Sequence, residues 1–224
     1  MLGDALFFPK ARDGWLKTVG IGGVLLITSI FIIPYLVLSG YLVRVMRSGA
    51  RDRSQPPVFD EWKDLFIDGW ILCGIQIIYG VVGVGIPTLV VFASSDLREA
   101  ILSPDPMASL STDAMIVLVF AYLFAFFVSY VSLVALARFA HEHRFEAAFE
   151  MRTVFRTAFT SEFFVAYVLF LSVGLVLGAI SAFFSLLVVG LFLFFYTYVV
   201  AYYLIGRGYR KANKRREHTG TSFI

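Results

Sequence analysis

The hydrophobic pattern of the chain is dominated by one long uncharged stretch, which runs from Phe163 to Gly206. Its 44 residues include no Asp, Glu, Lys, Arg or His, and charged residues bound it at Glu162 and Arg207. A helix that crosses a hydrocarbon core of ~30 Å needs about 20 apolar residues. The stretch therefore predicts two membrane crossings joined by a tight turn at 181–185, and the chain is predicted to be an integral membrane protein.

Three further windows lack charged side chains, and they cover residues 18–43, 69–95 and 114–137. The second and third windows each have the length of one crossing. The first window contains Pro34 and allows two arrangements. It can form one long crossing with a proline kink, or a short helical hairpin that turns near Ile33 and Pro34.

Three segments outside these windows mix charged residues with aromatic or long apolar ones. This pattern is typical of a short amphipathic helix at the membrane surface, where cations extend towards the headgroups. We therefore predict three interfacial helices. The first lies within 1–17, the second carries Phe59, Trp62 and Phe66, and the third carries Phe145, Phe149, Phe155 and Phe159.

A weak internal repeat favours the hairpin arrangement of the first window. The triplet Asp13-Gly14-Trp15 precedes that window, and Asp68-Gly69-Trp70 opens the second one. The chain then consists of three units, each an interfacial helix followed by a membrane hairpin. The predicted fold class is an all-α polytopic membrane bundle with six, alternatively five, transmembrane helices. We predict a single membrane domain at 1–210 and a disordered basic cytoplasmic tail at 211–224.

The distribution of positive charge indicates the orientation in the membrane. Of the 19 Lys and Arg residues, five lie at 44–63, four at 138–156 and six from Arg207 onwards, whereas the loop 96–113 has one cation against four acidic residues. Lys and Arg are retained on the cytoplasmic side. A multi-pass protein of the cell membrane with a cytoplasmic C-terminus is therefore predicted. The side of the N-terminus depends on whether the first window crosses once or twice.

Several short motifs resemble one known family. They are Gly40-Tyr41-Leu42-Val43-Arg44-Val45, Pro57-x-Phe59-Asp60-x-Trp62, Leu65-Phe66-x-Asp68-Gly69, Ala137-Arg138-Phe139-Ala140 and Gly206-Arg207-Gly208-Tyr209. Together they are similar to an archaeal family of multi-pass membrane proteins catalogued as domain of unknown function 4013. The resemblance covers about residues 13–210. It implies an archaeal inner-membrane protein and brings no activity that could be carried over.

The sequence contains few groups that could perform catalysis. It has no Gly-rich phosphate loop, no nucleophile elbow and no His-Glu-x-x-His motif. The best candidate for a metal site is His141-Glu142-His143, followed by Glu146 and Glu150, but the two histidines are two positions apart and point about 160° away from each other on a helix. We interpret them as part of a solvated helix end. The apolar windows also lack the buried acidic, basic or His residues on which proton-coupled transporters depend. No enzyme activity, catalytic residue, metal site or cofactor is predicted.

Two neutral polar residues, Gln76 and Thr88, are candidates for a polar site at the membrane midplane. A lone amide in hydrocarbon seeks a hydrogen-bond partner on another helix, so we favour a structural role for Gln76 over a contact with substrate. Pro87 lies close to Gly83 and Gly85. A simple kink at this proline is favoured over a broken helix that lines a cavity.

Small residues at four-residue spacing mark two helix faces on which a neighbouring backbone could lie close. We predict that both faces join helices within the chain, with homo-oligomerisation through one of them as the alternative. The first face consists of Gly174, Gly178 and Ala182, and the second consists of Ala121, Ala125 and Ser129.

The basic cluster after the last window is the remaining candidate for binding. A cation beside a membrane helix attracts anionic lipid with ~1 kcal/mol. An orientation determinant without any ligand is an equal alternative. The cluster consists of Arg207, Arg210, Lys211, Lys214, Arg215 and Arg216.

Taken together, the patterns favour a non-enzymatic membrane scaffold or accessory subunit that contacts anionic lipid or a membrane partner protein. The alternative is a small transporter or channel for a neutral or lipid-like solute, with Gln76 and Thr88 on its path. A nucleic-acid partner is not predicted, because the net charge of +3 is small and is explained by membrane topology.

Overall fold

The structure is a computed structural model that describes residues 1–105 and 109–220, except for the side chains of 186 and 216–220. The described residues form helices and connecting loops, which confirms the predicted all-α class. The helices are α1 (Leu2–Phe7), α2 (Trp15–Ile27), α3 (Ile32–Ala50), α4 (Trp62–Gly80), α5 (Ile86–Ala93), α6 (Ser95–Leu102), α7 (Thr112–Glu142), α8 (Met151–Ala158), α9 (Ser161–Phe184) and α10 (Val189–Gly220).

The long uncharged stretch forms two helices, α9 and α10, as the pattern predicts. The turn between them lies at 185–188, slightly later than the predicted position of 181–185. It consists of the 3₁₀ turn Ser185–Leu187 and Val188, whose φ is 62°. The turn is tight because Gly190 lies against the backbone of α9: a Cβ atom at this position would be 2.2 Å from the Ser181 carbonyl oxygen.

The first window adopts the hairpin arrangement. The chain leaves the helical conformation at Phe31, which is extended and separates α2 and the 3₁₀ turn Thr28–Ile30 from α3. Pro34 lies in the first turn of α3, where its missing N–H costs no hydrogen bond. Phe195 of α10 packs on Gly22 of one arm, and α10 also packs along the other arm. The hairpin therefore reverses at 28–31, which is about one turn of helix before the predicted position near Ile33 and Pro34.

Among the described residues, four helices are long and apolar enough to cross a membrane, judged by length and composition. The arms of the first hairpin have 13 and 19 residues, and the longer arm carries charged residues in its last two turns. A full crossing needs about 20 apolar residues, so the count of six or five crossings stays a prediction. The four spans are Trp62–Ala93, Thr112–Glu142, Ser161–Phe184 and Val189–Arg215.

The predicted interfacial helices have different outcomes. The first segment forms α1 and a 3₁₀ turn, and the third forms α8, which buries Val154 and exposes Phe155 on its other side. The prediction that the second segment forms a separate interfacial helix is wrong. Its residue Trp62 instead begins α4, which continues into the next window. Two prolines precede this point, and Glu61 adopts a φ of 48°, so the preceding loop cannot extend the helix.

The structure divides into two compact units, and the single membrane domain at 1–210 stays a prediction. The first unit comprises 1–74 and 133–224, and the second comprises 75–132. In the first unit, the aromatic side chains of Tyr41 and Phe195 lie in the core beside Leu65 and Val199. The residues 211–220, which are predicted to belong to a disordered tail, continue α10 as a helix.

Close helix approaches within the first unit occur at glycines other than the predicted ones. A Cβ atom at Gly40 would lie 1.8 Å from the Leu65 carbonyl oxygen, and one at Gly69 would lie 1.8 Å from that of Leu36. By contrast, a Cβ atom at Gly174 or Gly178 would have no described atom within 4 Å.

The face formed by Gly174, Gly178 and Ala182 therefore joins no described helix, contrary to the prediction. The residues that α9 does bury include Ala166, Val173 and Ser181, so the packed face of α9 passes beside the two glycines without covering them.

In the second unit, the predicted face on α7 lies beside a neighbouring helical segment. Gly83 is buried there, and a Cβ atom at this glycine would be 2.9 Å from Val128 and 3.9 Å from the Ala125 carbonyl oxygen. Ala121 and Ala125 are half-buried, whereas Ser129 is exposed. Ala121 and Ala125 thus lie on the side of α7 that faces Gly83.

Candidate functional site

The crossing of α3 and α4 positions the main polar cluster of the first unit. Because Gly40 and Gly69 have no side chain, the two backbones touch, and residues one or two turns away are brought within hydrogen-bond distance. Arg44 and Arg47 lie on the same side of α3 as Gly40, since residues three and four apart share a helix face. Asp68 precedes Gly69 directly. The site is therefore built where the two helices converge.

Tyr41 and Arg44 fix the loop that joins α3 to α4. The Tyr41 hydroxyl donates to the Pro57 carbonyl oxygen at 3.2 Å, and its ring stacks on that of Phe59 with centroids 4.1 Å apart. Arg44 forms ion pairs with Asp60 at 2.7 Å and with Glu61 at 3.3 Å. The loop is thereby held although it contains no regular helix.

Asp68 is the most deeply buried acid in this cluster, with a side chain that is 4% exposed. The Arg47 guanidinium donates from Nη2 to Asp68 at 3.3 Å and from Nε to the Ala140 carbonyl oxygen at 2.9 Å. The same Nη2 lies 2.8 Å from Nδ1 of His143, which is 3.6 Å from the second Asp68 oxygen. Arg47 thus connects α3, α4 and the end of α7.

A cavity of about 730 Å³ opens beside this cluster. Its walls carry four arginines, five carboxylates and His143, so the positive and negative charges nearly balance. Most of these groups already have partners within the cluster. Arg44 pairs with Asp60 and Glu61, and Arg47 contacts Asp68 and His143. A cavity with balanced charge suits a dipolar molecule or water better than a ligand with a strong net charge.

The residues considered for metal binding are engaged in separate contacts. The His141 ring lies 5.5 Å from that of Tyr209, and His143 contacts Arg47. Glu142 and Glu150 both accept hydrogen bonds from Arg138 at 2.8 Å. No group of three or more His, Cys, Asp or Glu side chains that could hold a metal ion occurs in the described part of the chain.

Two exposed carboxylates are held in the ionised form by arginines. The hydrogen bond from Arg138 lowers the pKa of Glu150 below its usual value of 4.5, and the hydrogen bond from Arg207 lowers the pKa of Asp4 below 3.8. A carboxyl group whose pKa is depressed by folding stabilises the fold above its unfolded pKa. This contribution is lost as the pH falls through the folded pKa.

We therefore expect the thermal unfolding midpoint of the detergent-solubilised protein to fall when the pH is lowered below about 4.5. Glu150→Gln should reduce this acid-induced fall, because the group that titrates is removed. Glu146→Gln is the matched control, since Glu146 pairs only with the exposed Arg144 among the described residues. Equal pH profiles for wild type and Glu150→Gln, measured by circular dichroism, would contradict the assignment.

The basic cluster divides into paired and unpaired cations. Arg207 bonds to Asp4 and Asp52, Arg210 bonds to Asp52, and Arg215 bonds to Glu162 and Ser161. Lys211 and Lys214 are exposed and form no ion pair with any described side chain. The side chain of Arg216 lies outside the described residues. The paired arginines hold the N-terminal helix, the α3–α4 loop and α9 against the end of α10.

The candidate midplane residues lie in two grooves of the second unit. Gln76 lines a groove of about 280 Å³ together with Tyr79, Ser129 and Ser132. Thr88 lines another groove of about 440 Å³, beside Pro87 and Ala121. The helix does not break at Pro87 but passes through the π-helical segment Val81–Gly85, which accommodates the missing N–H. The favoured simple kink at Pro87 stays a prediction.

Sequence reasoning did not identify Arg47 and Asp68 as a buried pair. The pattern places Asp68 at the end of a solvated segment, because the next apolar window begins one residue later. The available signal was the family motif itself, in which an Asp-Gly pair follows a Gly-Tyr pair. The structure brings these two pairs together at the helix crossing.

Comparison with family models gives one match, to the family described as protein of unknown function DUF4013, over residues 23–189. No curated protein and no solved structure matches the chain. The matched range covers more than two thirds of the 224 residues and includes the motifs that form the crossing of α3 and α4. The triplet at Asp13 and the motif at Gly206 lie outside it. The chain, a membrane-embedded helical protein, therefore belongs to the DUF4013 family of proteins of unknown function.

Proposed function

We propose that this protein is a non-enzymatic scaffold or accessory subunit of the cell membrane, which binds anionic lipid headgroups at a cytoplasmic C-terminal end. The observation that carries the proposal is the division of the basic cluster. Carboxylates hold Arg207 and Arg210 in place, while Lys211 and Lys214 remain exposed without an ion pair among the described side chains.

The position of these lysines supports contact with lipid. They lie five and eight residues after Gly206, where the uncharged part of α10 ends, and so within about two helical turns of it. An exposed cation near an anionic membrane surface contributes ~1 kcal/mol. Arg152 and Arg156 of α8 are also exposed and lie in another segment whose positive charge predicts the cytoplasmic side.

The scaffold role is supported by the way in which the ends of the first unit are fastened together. Asp4, Asp52 and Arg207 connect the N-terminal helix, the loop after α3 and the end of α10. At the same time α9 exposes much of its apolar surface, including Leu175 and Val176. This surface is available to lipid, to a partner protein or to a second copy of the chain.

The test is native mass spectrometry of the full chain in mild detergent with added phosphatidylglycerol or phosphatidylcholine. We expect preferential binding of phosphatidylglycerol and at least a fivefold weaker affinity in the double variant Lys211→Gln/Lys214→Gln, because the two exposed cations together contribute at least about 1 kcal/mol. Arg98→Gln is the control, since Arg98 lies in the loop predicted to face the other side. Equal binding of the two lipids by the wild type would overturn the proposal.

A second candidate function is the binding or passage of a neutral or lipid-like solute through the second unit. The groove at Gln76 favours it, because an amide, two serines and two tyrosines line a space with otherwise apolar walls. Such a mixture is typical of sites for small amphipathic molecules. A neutral compound that co-purifies with the wild type and is absent from Gln76→Leu would favour this candidate.

A further inference from the structure

A smaller pocket with basic walls lies where α3 ends beside α10, and it shares Asp52 with the large charge-balanced cavity. The two helices touch at Gly49 and Gly206: a Cβ atom at Gly49 would be 2.5 Å from the Tyr203 carbonyl oxygen, and one at Gly206 would be 2.1 Å from that of Met46. Just beyond this contact is a pocket of about 440 Å³. Its walls include Arg51 and Asp52 after α3, and Arg210, Asn213 and Lys214 of α10.

The residues of α10 that line the pocket share one face of the helix. Positions 209, 210, 213 and 214 recur at the spacing of a helical turn, and Lys211 is not among the lining residues. The two neighbouring lysines are therefore not equivalent. Lys214 contributes to a concave site, whereas Lys211 contributes only to the general positive surface.

Positive charge exceeds negative charge in this pocket. Arg51, Arg210 and Lys214 face a single carboxylate, Asp52, which is shared with Arg207 outside the pocket. Arg51 has no carboxylate partner in the described part of the chain and donates only to the His141 carbonyl oxygen, at 3.2 Å. Lys214 has no ion pair there either. The pocket can therefore accept an anion without displacing an internal ion pair.

One local feature opposes anion binding, but it is partly neutralised. The C-terminal ends of α3 and α7 present carbonyl groups, whose partial negative charge disfavours an anion. Arg51 binds a carbonyl group at the end of α7, and Arg47 binds the preceding one. The positive charges of Arg51, Arg210 and Lys214 therefore exceed the partial negative charge that remains on the helix-end carbonyl groups.

We infer that this pocket binds the phosphodiester of an anionic lipid headgroup. Guanidinium and ammonium groups are the usual protein partners of phosphate oxygens, and the pocket volume lies in the ordinary range for small-ligand sites. The inference rests on the proposed function and narrows its lipid contact to one site.

The depth of the pocket identifies lipid as the source of the phosphate. At 1.5 Å per residue, Arg210 lies about 6 Å and Lys214 about 12 Å beyond Gly206, where the uncharged stretch of α10 ends. The headgroup layer on each side of the hydrocarbon core is on the order of 5–8 Å thick. The pocket therefore begins at the depth at which lipid phosphates occur, and Lys214 lies at its outer, aqueous edge.

The test compares Lys214→Gln and Arg51→Gln with Lys211→Gln as a matched control in the full chain. Binding of phosphatidylglycerol in detergent is measured by native mass spectrometry. We expect each pocket variant to weaken binding about fivefold, corresponding to ~1 kcal/mol, and Lys211→Gln to change it less than about twofold. Lys214→Glu, which reverses the charge, should weaken binding further. All three positions are exposed, so thermal unfolding should be nearly unchanged and serves as the folding control.

The outcomes separate the pocket from the broader proposal. Equal losses in Lys211→Gln and Lys214→Gln would overturn the pocket and leave a diffuse basic surface that binds anionic lipid. The absence of any preference for phosphatidylglycerol over phosphatidylcholine in the wild type would overturn both. Excess inorganic phosphate should not displace the lipid. Displacement would show that the pocket takes free phosphate and would overturn its assignment to lipid.

Discussion

Gly69→Ala is expected to destabilise the first unit strongly, although it adds only one methyl group. The new Cβ atom would lie 1.8 Å from the Leu36 carbonyl oxygen and 3.0 Å from the Gly40 nitrogen. Both are backbone atoms of α3, so no side chain can rotate away and the helices must separate. Overpacking of this kind typically costs about 1–3 kcal/mol and occasionally more. We expect the upper end, because separation of α3 from α4 also weakens the contact between Arg47 and Asp68.

The experiment is decisive because Gly69→Ala is expected to lower stability, whereas a Gly→Ala change at an open helical position should not. Alanine favours a helix over glycine by about 1 kcal/mol, so the same substitution at an open position should be neutral or stabilising. Gly174→Ala is that control, because no described atom lies within 4 Å of its Cβ position. Unfolding by sodium dodecyl sulfate, followed by circular dichroism, measures both variants. A Gly69→Ala variant as stable as Gly174→Ala would contradict the close crossing.

Asp68→Ala is expected to have the second large effect, because it leaves Arg47 without its counter-charge. The side chains of Asp68 and Arg47 are only 4% and 17% exposed. Removal of one partner from a buried ion pair costs about 3–5 kcal/mol, mostly as the penalty for the unpaired charge. His143 cannot replace the carboxylate, because its side chain is exposed and an imidazole carries no negative charge. Asp68→Asn should also destabilise the protein, but less, because an amide can still accept the hydrogen bond.

Two further variants test this explanation. Asp64→Asn removes an exposed carboxylate one turn earlier on α4, which has no ion pair among the described residues, and should change stability by less than about 0.5 kcal/mol. The double variant Arg47→Met/Asp68→Leu removes both charges and should recover much of the stability, as replacement of buried ion pairs by apolar residues often does. If the double variant is as unstable as Asp68→Ala, the unpaired charge is not the cause.

The crossings of the last two helices could be predicted because one physical requirement determines them. A run of 44 uncharged residues fits two passages through hydrocarbon and little else. The first window was less determined, since Pro34 is compatible with a kink and with the start of a new helix. Only the packing of α10 on both arms shows that the hairpin forms.

The polar cluster and the packing faces could not be predicted in the same way, because they depend on distant residues. Asp68 looks like a solvated acid next to Lys63 and Asp64, yet its partner Arg47 lies 21 residues earlier and His143 follows directly after α7. Likewise, the spacing of Gly174 and Gly178 identifies a small-residue face but not the presence of a neighbour. In this chain the neighbours lie at Gly40, Gly49, Gly69 and Gly206.

The contact between the first and last helices has a consequence for biosynthesis. The Tyr196 hydroxyl donates to the Leu6 carbonyl oxygen across 190 residues of sequence. A ribosome adds about 5–20 residues per second, so the N-terminal segments wait on the order of 10–40 s before α10 is translated. During this time Gly22 of the first hairpin and Phe8 of the N-terminal segment lack the α10 side chains, Phe195 and Tyr203, that cover them. The packing of the N-terminal segments is therefore completed only after α10 has been made.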